Sequence, residues 1–398
     1  MFLVLVPACF SPCTASAQID PVKRELLQVG YNAALEGHPP LSIYAFLYEN
    51  IPQFPLTNLT LRLAIAPTYL DSELGISQTL GENTDLGIGL AGGGFADNYV
   101  EVRQGKFLPE ESFTGLGGEA SLSVYHLFNP GHLIPLTGVV RGLAHFSTYQ
   151  RDDRTTPTFQ LADDHGTFGL RTGLRWGGGE PTLFPSLAMG LSVWYEGEFR
   201  NHSGIYGFND RTLQGQSHLF WGEALLAYTM PELQHSFYVS LRAGTSLDTD
   251  RFSAYRLGAL LPLASEFPLS LPGYYYQELT AKEFVLLGGN YLLPLDKKQR
   301  WNLHVAAATA VVDYLPGLEQ PGHWHTGVGG GILYKTPSWK FVVGYGYGVD
   351  AIRSDGRGAH SIGVLMQLDW GQAKGVLFNP AEPSRWRGLQ QIFGVFGS

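Results

Sequence analysis

Alternation of apolar and polar residues with a period of two is the feature that most constrains this chain. From Ser361 to Trp370 one set of alternate positions is apolar throughout, and the other set includes Gln367 and Asp369. Because successive side chains of a β-strand point to opposite faces, this segment predicts a strand with one apolar face. The pattern recurs in segment after segment, which predicts an all-β chain.

The alternating segments number about sixteen, and an even number is what bacterial single-chain barrels require. They lie at 42–48, 59–65, 73–79, 85–91, 116–127, 136–149, 168–176, 187–196, 218–230, 237–244, 253–261, 281–293, 301–312, 325–334, 339–349 and 361–370. Long polar connections alternate with short ones that carry Pro, Gly or Asn. This asymmetry is typical of a closed antiparallel transmembrane β-barrel with long loops outside and short turns inside.

Charged residues in the clearest strands lie opposite the apolar stripe. An arginine on the lipid face costs about 2–4 kcal/mol at the bilayer midplane, so this placement favours a membrane barrel with a polar interior. Two interpretations are open: these residues line an aqueous lumen and tune its selectivity, or they pair with one another inside the barrel. The predicted lumen-facing residues are Arg62, Arg141, Arg171, Arg175, Arg242 and Asp369.

Composition supports this class of protein. Charged residues make up 15% of the 398 residues, below the roughly 25% of soluble domains. No uninterrupted apolar run reaches about 18 residues, which argues against helical membrane spans. The net charge of -9 argues against a general affinity for nucleic acid. A soluble β-sandwich is the remaining alternative for the fold.

The ends of the chain suggest four segments. Residues 1–17 resemble a secretory signal peptide that ends at Ala15-Ser16-Ala17, with a lipoprotein box at Cys9 as an alternative. Residues 18–40 form a short leader in which Val22 to Leu35 is a candidate helix. Residues 41–370 form the barrel. Residues 371–398 form a tail whose apolar end, including Trp386 and Phe396, predicts a plug for the barrel mouth or a partner-binding segment.

Motifs for catalysis, cofactors or metals are weak. Gly115 to Ala120 matches a dinucleotide fingerprint but lies within an alternating segment, and we expect no cofactor. The pair His323 and His325 lacks a third ligand for a metal. Acidic pairs at 152–153 and 163–164 are expected to be solvated loop residues rather than a calcium site. The glycine runs at 92–94, 177–179 and 329–331 predict strand bends or turns. No residue is assigned a catalytic role.

The last third of the chain resembles the bacterial outer-membrane insertase and translocase superfamily, which includes the barrel subunit of the BAM machine, two-partner-secretion transporters and patatin-linked barrels. Leu271-Pro272-Gly273-Tyr274-Tyr275 is similar to the family's Arg-Gly-Phe/Tyr loop. Residues 290–295 and 327–370 resemble the family's later strands. The predicted strand order places the loop between the eleventh and twelfth strands, where the family has it.

Several family features are missing. The loop arginine falls on Pro272, and the acids with which it would pair fall on Asn290 and near Ala308. Joint loss of these charges predicts a neutral loop anchored by Tyr274, Tyr275 and Tyr276. The family's periplasmic POTRA domains have no counterpart, so we expect protein partners to supply them.

The resemblance implies a non-enzymatic outer-membrane barrel of a Gram-negative-type bacterium. It would act in translocation or insertion of protein or lipid, or as a scaffold with periplasmic or outer-membrane protein partners. The alternatives are a passive porin-like channel and a structural barrel that anchors a surface complex. Membrane lipid is the expected surrounding, and nucleic acid is not an expected partner.

Overall fold

The chain folds into a closed antiparallel β-barrel, seen in a computed structural model that describes residues 22–40, 42–178, 183–261, 267–353 and 356–371. Sixteen strands form the wall in this part of the chain. They are β1 Arg24–Ala34, β2 Ile43–Pro52, β3 Leu59–Ile65, β4 Tyr69–Ile76, β5 Thr84–Gly93, β6 Thr114–Leu127, β7 Leu136–Gln150, β8 His165–Gly178, β9 Leu187–Arg200, β10 Gln216–Thr229, β11 Ser236–Leu247, β12 Leu279–Pro294, β13 Trp301–Tyr314, β14 Trp324–Lys335, β15 Trp339–Arg353 and β16 Gly356–Asp369. The all-β barrel fold is confirmed.

The wall closes where β1 meets β16. Residues 26–34 of β1 pair with residues 369–361 of β16, and β1 also pairs with β2. The predicted leader helix at Val22 to Leu35 is therefore wrong, as is a barrel that begins at residue 41. Residues 42–48, the first of the predicted strands, lie in the second strand, β2. The leucines and alanines of β1 fit helical spacing too, but the unpaired edges of β2 and β16 require a strand between them.

A second error offsets the first in the strand count. The predicted strand at 253–261 is not part of the wall. Only Tyr255–Leu257 is extended there, and it pairs with the first residues of β12. The count of sixteen and the position of the loop between the eleventh and twelfth strands are both correct, because one missed strand balances one false strand.

The outer face of the barrel is apolar and carries aromatic residues near both ends. Val193, Val239 and Val305 are exposed on the outside at mid-strand. Aromatic rings near both rims form the two girdles that place a barrel in a bilayer. Examples are Phe146, Phe168, Phe199 and Phe220 near one rim and Trp176, Tyr228, Tyr291 and Trp301 near the other. No helix among the described residues is long and apolar enough to span a membrane.

The longest connections, 94–113, 151–164, 201–215 and 248–278, all leave the barrel at one end, here called the long-loop end. They pack on one another around Tyr99, Phe113, Phe159 and Tyr206. Buried Arg211 bridges two of these loops by pairing with Glu111. Loop 94–113 reaches as far as β15, because a Cβ added at Gly105 would lie 1.8 Å from the Ile352 carbonyl oxygen. The long loops therefore form a cap with its own core.

Residues 1–21 and 372–398 lie outside the described residues, and so do the signal peptide and nearly all of the predicted tail.

The wall is uneven in height within the described part. Strands β3 and β4 have seven and eight residues, whereas β6 to β10 have 14 or 15.

A disulfide across the seam tests barrel closure. Gln28 and Gln367 are directly opposite, and their side-chain amides lie 3.1 Å apart. Directly opposite residues have Cα atoms about 4.5–5.5 Å apart, which suits a disulfide. In a Cys9→Ser, Cys13→Ser background, we expect Gln28→Cys with Gln367→Cys to oxidise to an internal crosslink. The crosslinked chain should migrate faster on a denaturing non-reducing gel.

The matched control is Gln28→Cys with Lys340→Cys. Lys340 lies on β15, directly opposite Gln367 of β16. Strand β16 therefore separates Lys340 from Gln28 on β1. Two strand spacings amount to about 9–10 Å, which is too far for a disulfide. Equal crosslinking of both pairs, or of neither, would contradict the register of the seam.

Candidate functional site

An internal cavity of about 1030 Å³ occupies the barrel. Of the predicted lumen-facing residues, five line this cavity: Arg62, Arg141, Arg171, Arg175 and Arg242. Asp369 is placed elsewhere. It ends β16 at the end of the barrel opposite the long loops, here called the short-turn end, where its backbone N–H donates to the Ser338 carbonyl 2.6 Å away.

The lumen arginines lie beside acids on neighbouring strands. Arg242 is opposite Glu223 and 2.5 Å from it, and Arg171 is opposite Glu196 at 3.9 Å. Arg141 is 2.6 Å from Glu119. Arg62 lies 3.7 Å from Asp71 and 3.9 Å from Glu73. Of the two interpretations, the structure therefore favours pairing inside the barrel for these four residues. Arg175 contacts the Trp194 ring, with its guanidinium carbon 5.8 Å from the centroid.

The connection between β11 and β12, named the lumen loop here and described at residues 248–261 and 267–278, enters the barrel. Leu271 and Tyr274 are fully buried in a cluster with residues of β12, β13 and β15. The Gly273 N–H donates to Ser361 Oγ of β16 at 3.1 Å. The predicted motif residues Pro272, Gly273 and Tyr274 thus lie together against the inner wall of β14 to β16.

Glycines of β14 and β15 make room for the tip of the lumen loop. A Cβ at Gly327 would lie 2.2 Å from the Pro272 carbonyl oxygen, and one at Gly348 would lie 2.9 Å from the Tyr274 ring. Gly273 has a φ of +86°, and a Cβ there would lie 1.8 Å from the Gly348 nitrogen, so no other residue fits. The run at 329–331 was expected to bend or turn the chain. It lies inside a regular strand, where Gly329 faces Pro272 and Leu260.

An ion pair holds the base of the lumen loop, so the predicted neutral loop is wrong. Glu278, one residue before β12, accepts two hydrogen bonds of 2.8 and 3.0 Å from Arg353 at the end of β15. Arg353 also donates to the Gly273 carbonyl at 3.2 Å and stacks on Tyr275, 3.8 Å from its ring centroid. Here the loop supplies the acid and the wall supplies the arginine, the reverse of the family arrangement.

Tyrosines add to this anchor. Tyr274 Oη lies 3.0 Å from His325 Nδ1, and His325 also contacts Tyr314. Tyr275 Oη donates to the Glu36 carbonyl at 3.0 Å. Burial raises the pKa of the Tyr274 phenol, which therefore stays protonated. Tyr276 was expected to be a third anchor, but it is 38% exposed and hydrogen-bonds only the adjacent Gln277 among the contacts described for it.

The positions aligned with the family's acids have other roles. Asn290 lies on β12 with its Oδ1 2.8 Å from His304 Nε2. Ala308 packs in the buried cluster beneath Leu271 and Tyr274. The pair of Glu278 and Arg353 could not be predicted by comparison with the family loop. The two residues are 75 positions apart, and neither aligns with a charged residue of the family.

The same loop also contacts the opposite wall. Phe267 packs edge-on against Trp194 of β9 and Trp221 of β10, with centroid distances of 5.7 and 5.9 Å. Since Gly273 and Tyr274 contact β14 to β16, the lumen loop crosses the barrel interior.

Residues 183–186, which precede β9, lie across the short-turn end. The Leu183 N–H donates to Gln367 Oε1 of β16 at 3.0 Å, and Lys340 of β15 donates to the Leu183 carbonyl. Phe184 packs on His304 of β13 at 5.1 Å. Leu183 and Phe184 therefore contact strands of the wall that are distant from β8 and β9.

The weak metal candidates are placed apart from one another. His325 faces the lumen loop, whereas His323 Nδ1 lies 2.8 Å from the Val312 carbonyl. Asp152 accepts hydrogen bonds within its own turn, and Asp164 accepts one from the Tyr149 N–H. Gly115 to Ala120 lies within β6.

We expect Glu278→Gln to destabilise the barrel. The substitution removes the charge paired with buried Arg353, and breaking a buried pair costs about 3–5 kcal/mol. Urea unfolding, followed by loss of the compact band on a semi-native gel, measures the free energy of unfolding. Adding Arg353→Met should restore part of the loss. Asp152→Asn removes an exposed pair with Arg154 and should cost less than about 1 kcal/mol. Equal effects of Glu278→Gln and Asp152→Asn would contradict the anchor.

Gly327→Ala should displace the tip of the lumen loop, because the new Cβ meets backbone atoms of Pro272 that cannot yield. Displacement should expose Tyr274 and Tyr275 to chymotrypsin, which is measured by the rate of cleavage in the loop. Gly142→Ala on β7 is the control, since nothing lies within 4 Å of its added Cβ. Unchanged protection in Gly327→Ala would show that the loop does not rest on this glycine.

Comparisons with known proteins identify the fold. No protein-family model matches the chain, and no curated protein matches its sequence. Among solved structures, CdiB from Acinetobacter baumannii aligns with a TM-score of 0.57 at 11% identity over 87% of this chain and 60% of its own. CdiB from Escherichia coli aligns with a TM-score of 0.55 at 11% identity over 87% of this chain and 63% of its own.

BamA from Haemophilus ducreyi lacking POTRA domains 1–3 aligns with a TM-score of 0.53 at 11% identity. The alignment covers 86% of this chain and 70% of that one. The chain thus spans about 60% of the length of the first CdiB structure. The predicted resemblance is confirmed at the level of the fold: the chain has the barrel fold of CdiB and BamA.

Proposed function

We propose that this chain is an outer-membrane barrel of the insertase and translocase superfamily, and that it moves or inserts polypeptide or lipid together with protein partners. The lumen loop carries the proposal. It enters between the eleventh and twelfth strands and is held by Glu278 and Arg353 on one wall and by Phe267 on the other. One anchored loop crosses the interior of the barrel. Such an arrangement suits a protein whose lumen opens when the loop moves.

The outer face of the barrel and the lengths of its loops support a membrane location and an orientation for the proposed barrel. The apolar outer face and two aromatic girdles support an outer-membrane location in a Gram-negative-type bacterium. Long loops of such barrels face outward and short turns face the periplasm. The lumen loop and the cap are then on the outer side, and residues 183–186 lie at the periplasmic mouth.

The role that we propose for this chain is non-enzymatic. Four of the five lumen arginines pair with acids, and Tyr274 and His325 serve as packing and hydrogen-bonding groups around the loop. Periplasmic or outer-membrane proteins would supply selectivity and cargo.

A structural role is the second candidate, and the cap is the observation that favours it. A loop cap with its own buried aromatic core and the Arg211 pair offers a rigid outer surface on which a complex could assemble. A passive porin-like channel is the third candidate. It is disfavoured by the loop across the lumen and by the paired arginines.

Planar-bilayer conductance separates these candidates. We expect the unaltered barrel to show small or infrequent current steps because the lumen loop obstructs the interior. The variant Glu278→Ala with Arg353→Ala should release the base of the loop and give larger, more frequent steps. Asp152→Asn serves as the control. Large steady steps from the unaltered barrel would establish a porin, and a closed double variant would favour the structural role.

Partner capture tests the need for other proteins. The full chain, crosslinked in cells and purified in detergent, should recover a periplasmic protein with soluble domains under the translocation proposal. Crosslinks from residues 183–186, at the periplasmic mouth, should dominate over crosslinks from the cap at 201–215. Crosslinks confined to the cap would favour the surface scaffold.

A further inference from the structure

Two tryptophans form a fixed platform on the inner wall. Trp194 of β9 and Trp221 of β10 are directly opposite in register. Their ring centroids are 6.3 Å apart, and their planes differ by 14°. Because sheet pairing sets this arrangement, the platform persists when the lumen loop moves.

Arg171 and Phe267 complete an aromatic cage on this platform. The Arg171 guanidinium carbon lies 5.0 Å from the Trp194 centroid and 5.2 Å from that of Trp221. It also lies 5.7 Å from the Phe267 ring. Phe267 meets both indoles nearly edge-on, at interplanar angles of 66° and 77°. Cation–π and edge-to-face contacts of this kind favour an aromatic ring over an aliphatic side chain.

The cage also holds hydrogen-bond donors that lack acceptors. The indole Nε1 atoms of Trp194 and Trp221 are both buried and have no hydrogen-bond partner among the described residues. Buried donors of this kind are rare in native structures, and two in one cluster call for an explanation. A ligand that brings carbonyl oxygens beside an aromatic ring would satisfy both.

The cage opens onto the internal cavity, which Arg171, Trp194 and Phe267 line. The lumen loop supplies Phe267, whereas strands of the wall supply the other three residues. Movement of the loop would therefore vacate the place of one ring and leave the rest of the cage intact. An extended polypeptide carries both an aromatic side chain and backbone carbonyls, whereas a lipid acyl chain carries a carbonyl at its ester but no aromatic ring.

We propose that Phe267 is a placeholder, and that the cage of Arg171, Trp194 and Trp221 binds an aromatic side chain of a polypeptide that enters the lumen when the loop moves aside. The inference rests on the proposed function in moving or inserting polypeptide. It adds a preference for aromatic residues in the cargo and a reason why the loop and the cargo exclude each other.

Binding of two labelled peptides to the barrel in lipid nanodiscs tests this site. The peptides are acetylated glycine–serine hexamers that differ only in one central residue, Phe or Leu, and fluorescence anisotropy gives their affinities. Phe267→Ala should bind the Phe peptide about threefold to tenfold tighter than the Leu peptide, the range that an aromatic pair adds beyond its burial. Adding Trp194→Leu should abolish the difference. The unaltered barrel should bind both peptides more weakly than Phe267→Ala does.

Two further variants guard against misfolding and non-specific effects. Phe267→Leu keeps the bulk of the side chain but not its ring, and it should bind the Phe peptide more tightly than the unaltered barrel does. Phe220→Ala removes an aromatic residue from the outer face of β10, 41% exposed, and should behave like the unaltered barrel.

Equal affinity of Phe267→Ala for both peptides, or no binding of either, would overturn the inference. Tighter binding of lysophosphatidylglycerol than of the Phe peptide would overturn it too, by assigning the cage to a lipid. Failure here is distinct from failure of the proposed function, which large steady conductance of the unaltered barrel would show whatever the peptides do.

Discussion

Pairing of every backbone N–H and C=O within the wall is the constraint on which this structure depends. In lipid an unpaired strand edge costs several kcal/mol for each polar group, so a spanning sheet must close. The pairing of β1 with both β2 and β16 meets this requirement. Closure then fixes which alternate residues face inward, and it brings β14 to β16 to the side of the lumen opposite β8 to β10.

The lumen loop uses the two sides of that interior differently. On the side of β14 to β16, glycines allow close backbone approach, and the pair of Glu278 and Arg353 adds a charge-assisted contact. Removing one partner of a buried pair strongly destabilises the fold, because the other charge stays buried without its partner. The pair of Glu278 and Arg353 therefore favours one position of the loop. On the other side, Phe267 makes ring contacts with Trp194 and Trp221 of the wall. The loop therefore has one polar anchor and one aromatic anchor that can be exchanged without separating charges.

Most of the fold could be predicted from the sequence, because alternation of apolar and polar residues is a local signal. It located the strands from β2 to β16 and five arginines that line the cavity. It failed at β1, where mixed spacing also fitted a helix and only the need to pair two distant strand edges decides the outcome. It failed again at residues 253–261, where alternation is present but the segment belongs to the lumen loop.

The candidate site was less predictable for a related reason. The motif Pro272-Gly273-Tyr274 lies in the lumen loop, and its partners depend on contacts between residues far apart in sequence. Arg353 and Glu278 each look like an ordinary charge at the end of a strand, and period-two glycines in β14 and β15 look like bends. Trp194 and Trp221 could have been suspected from the strand alignment, since each faces the polar side of an otherwise alternating strand. Their pairing across β9 and β10 needs the register, which local patterns do not give.

The low wall at β3 and β4 has a mechanical consequence for the surrounding membrane. Seven residues extend about 23 Å along a strand, and the tilt of barrel strands reduces this to about 18 Å of height. The hydrocarbon core of a bilayer is about 30 Å thick. Lipids beside β3 and β4 must therefore shorten, whereas lipids beside β6 to β10 need not. The barrel therefore compresses the surrounding shell of lipids on one side only, two strands away from the seam. A thinner bilayer would relieve that compression.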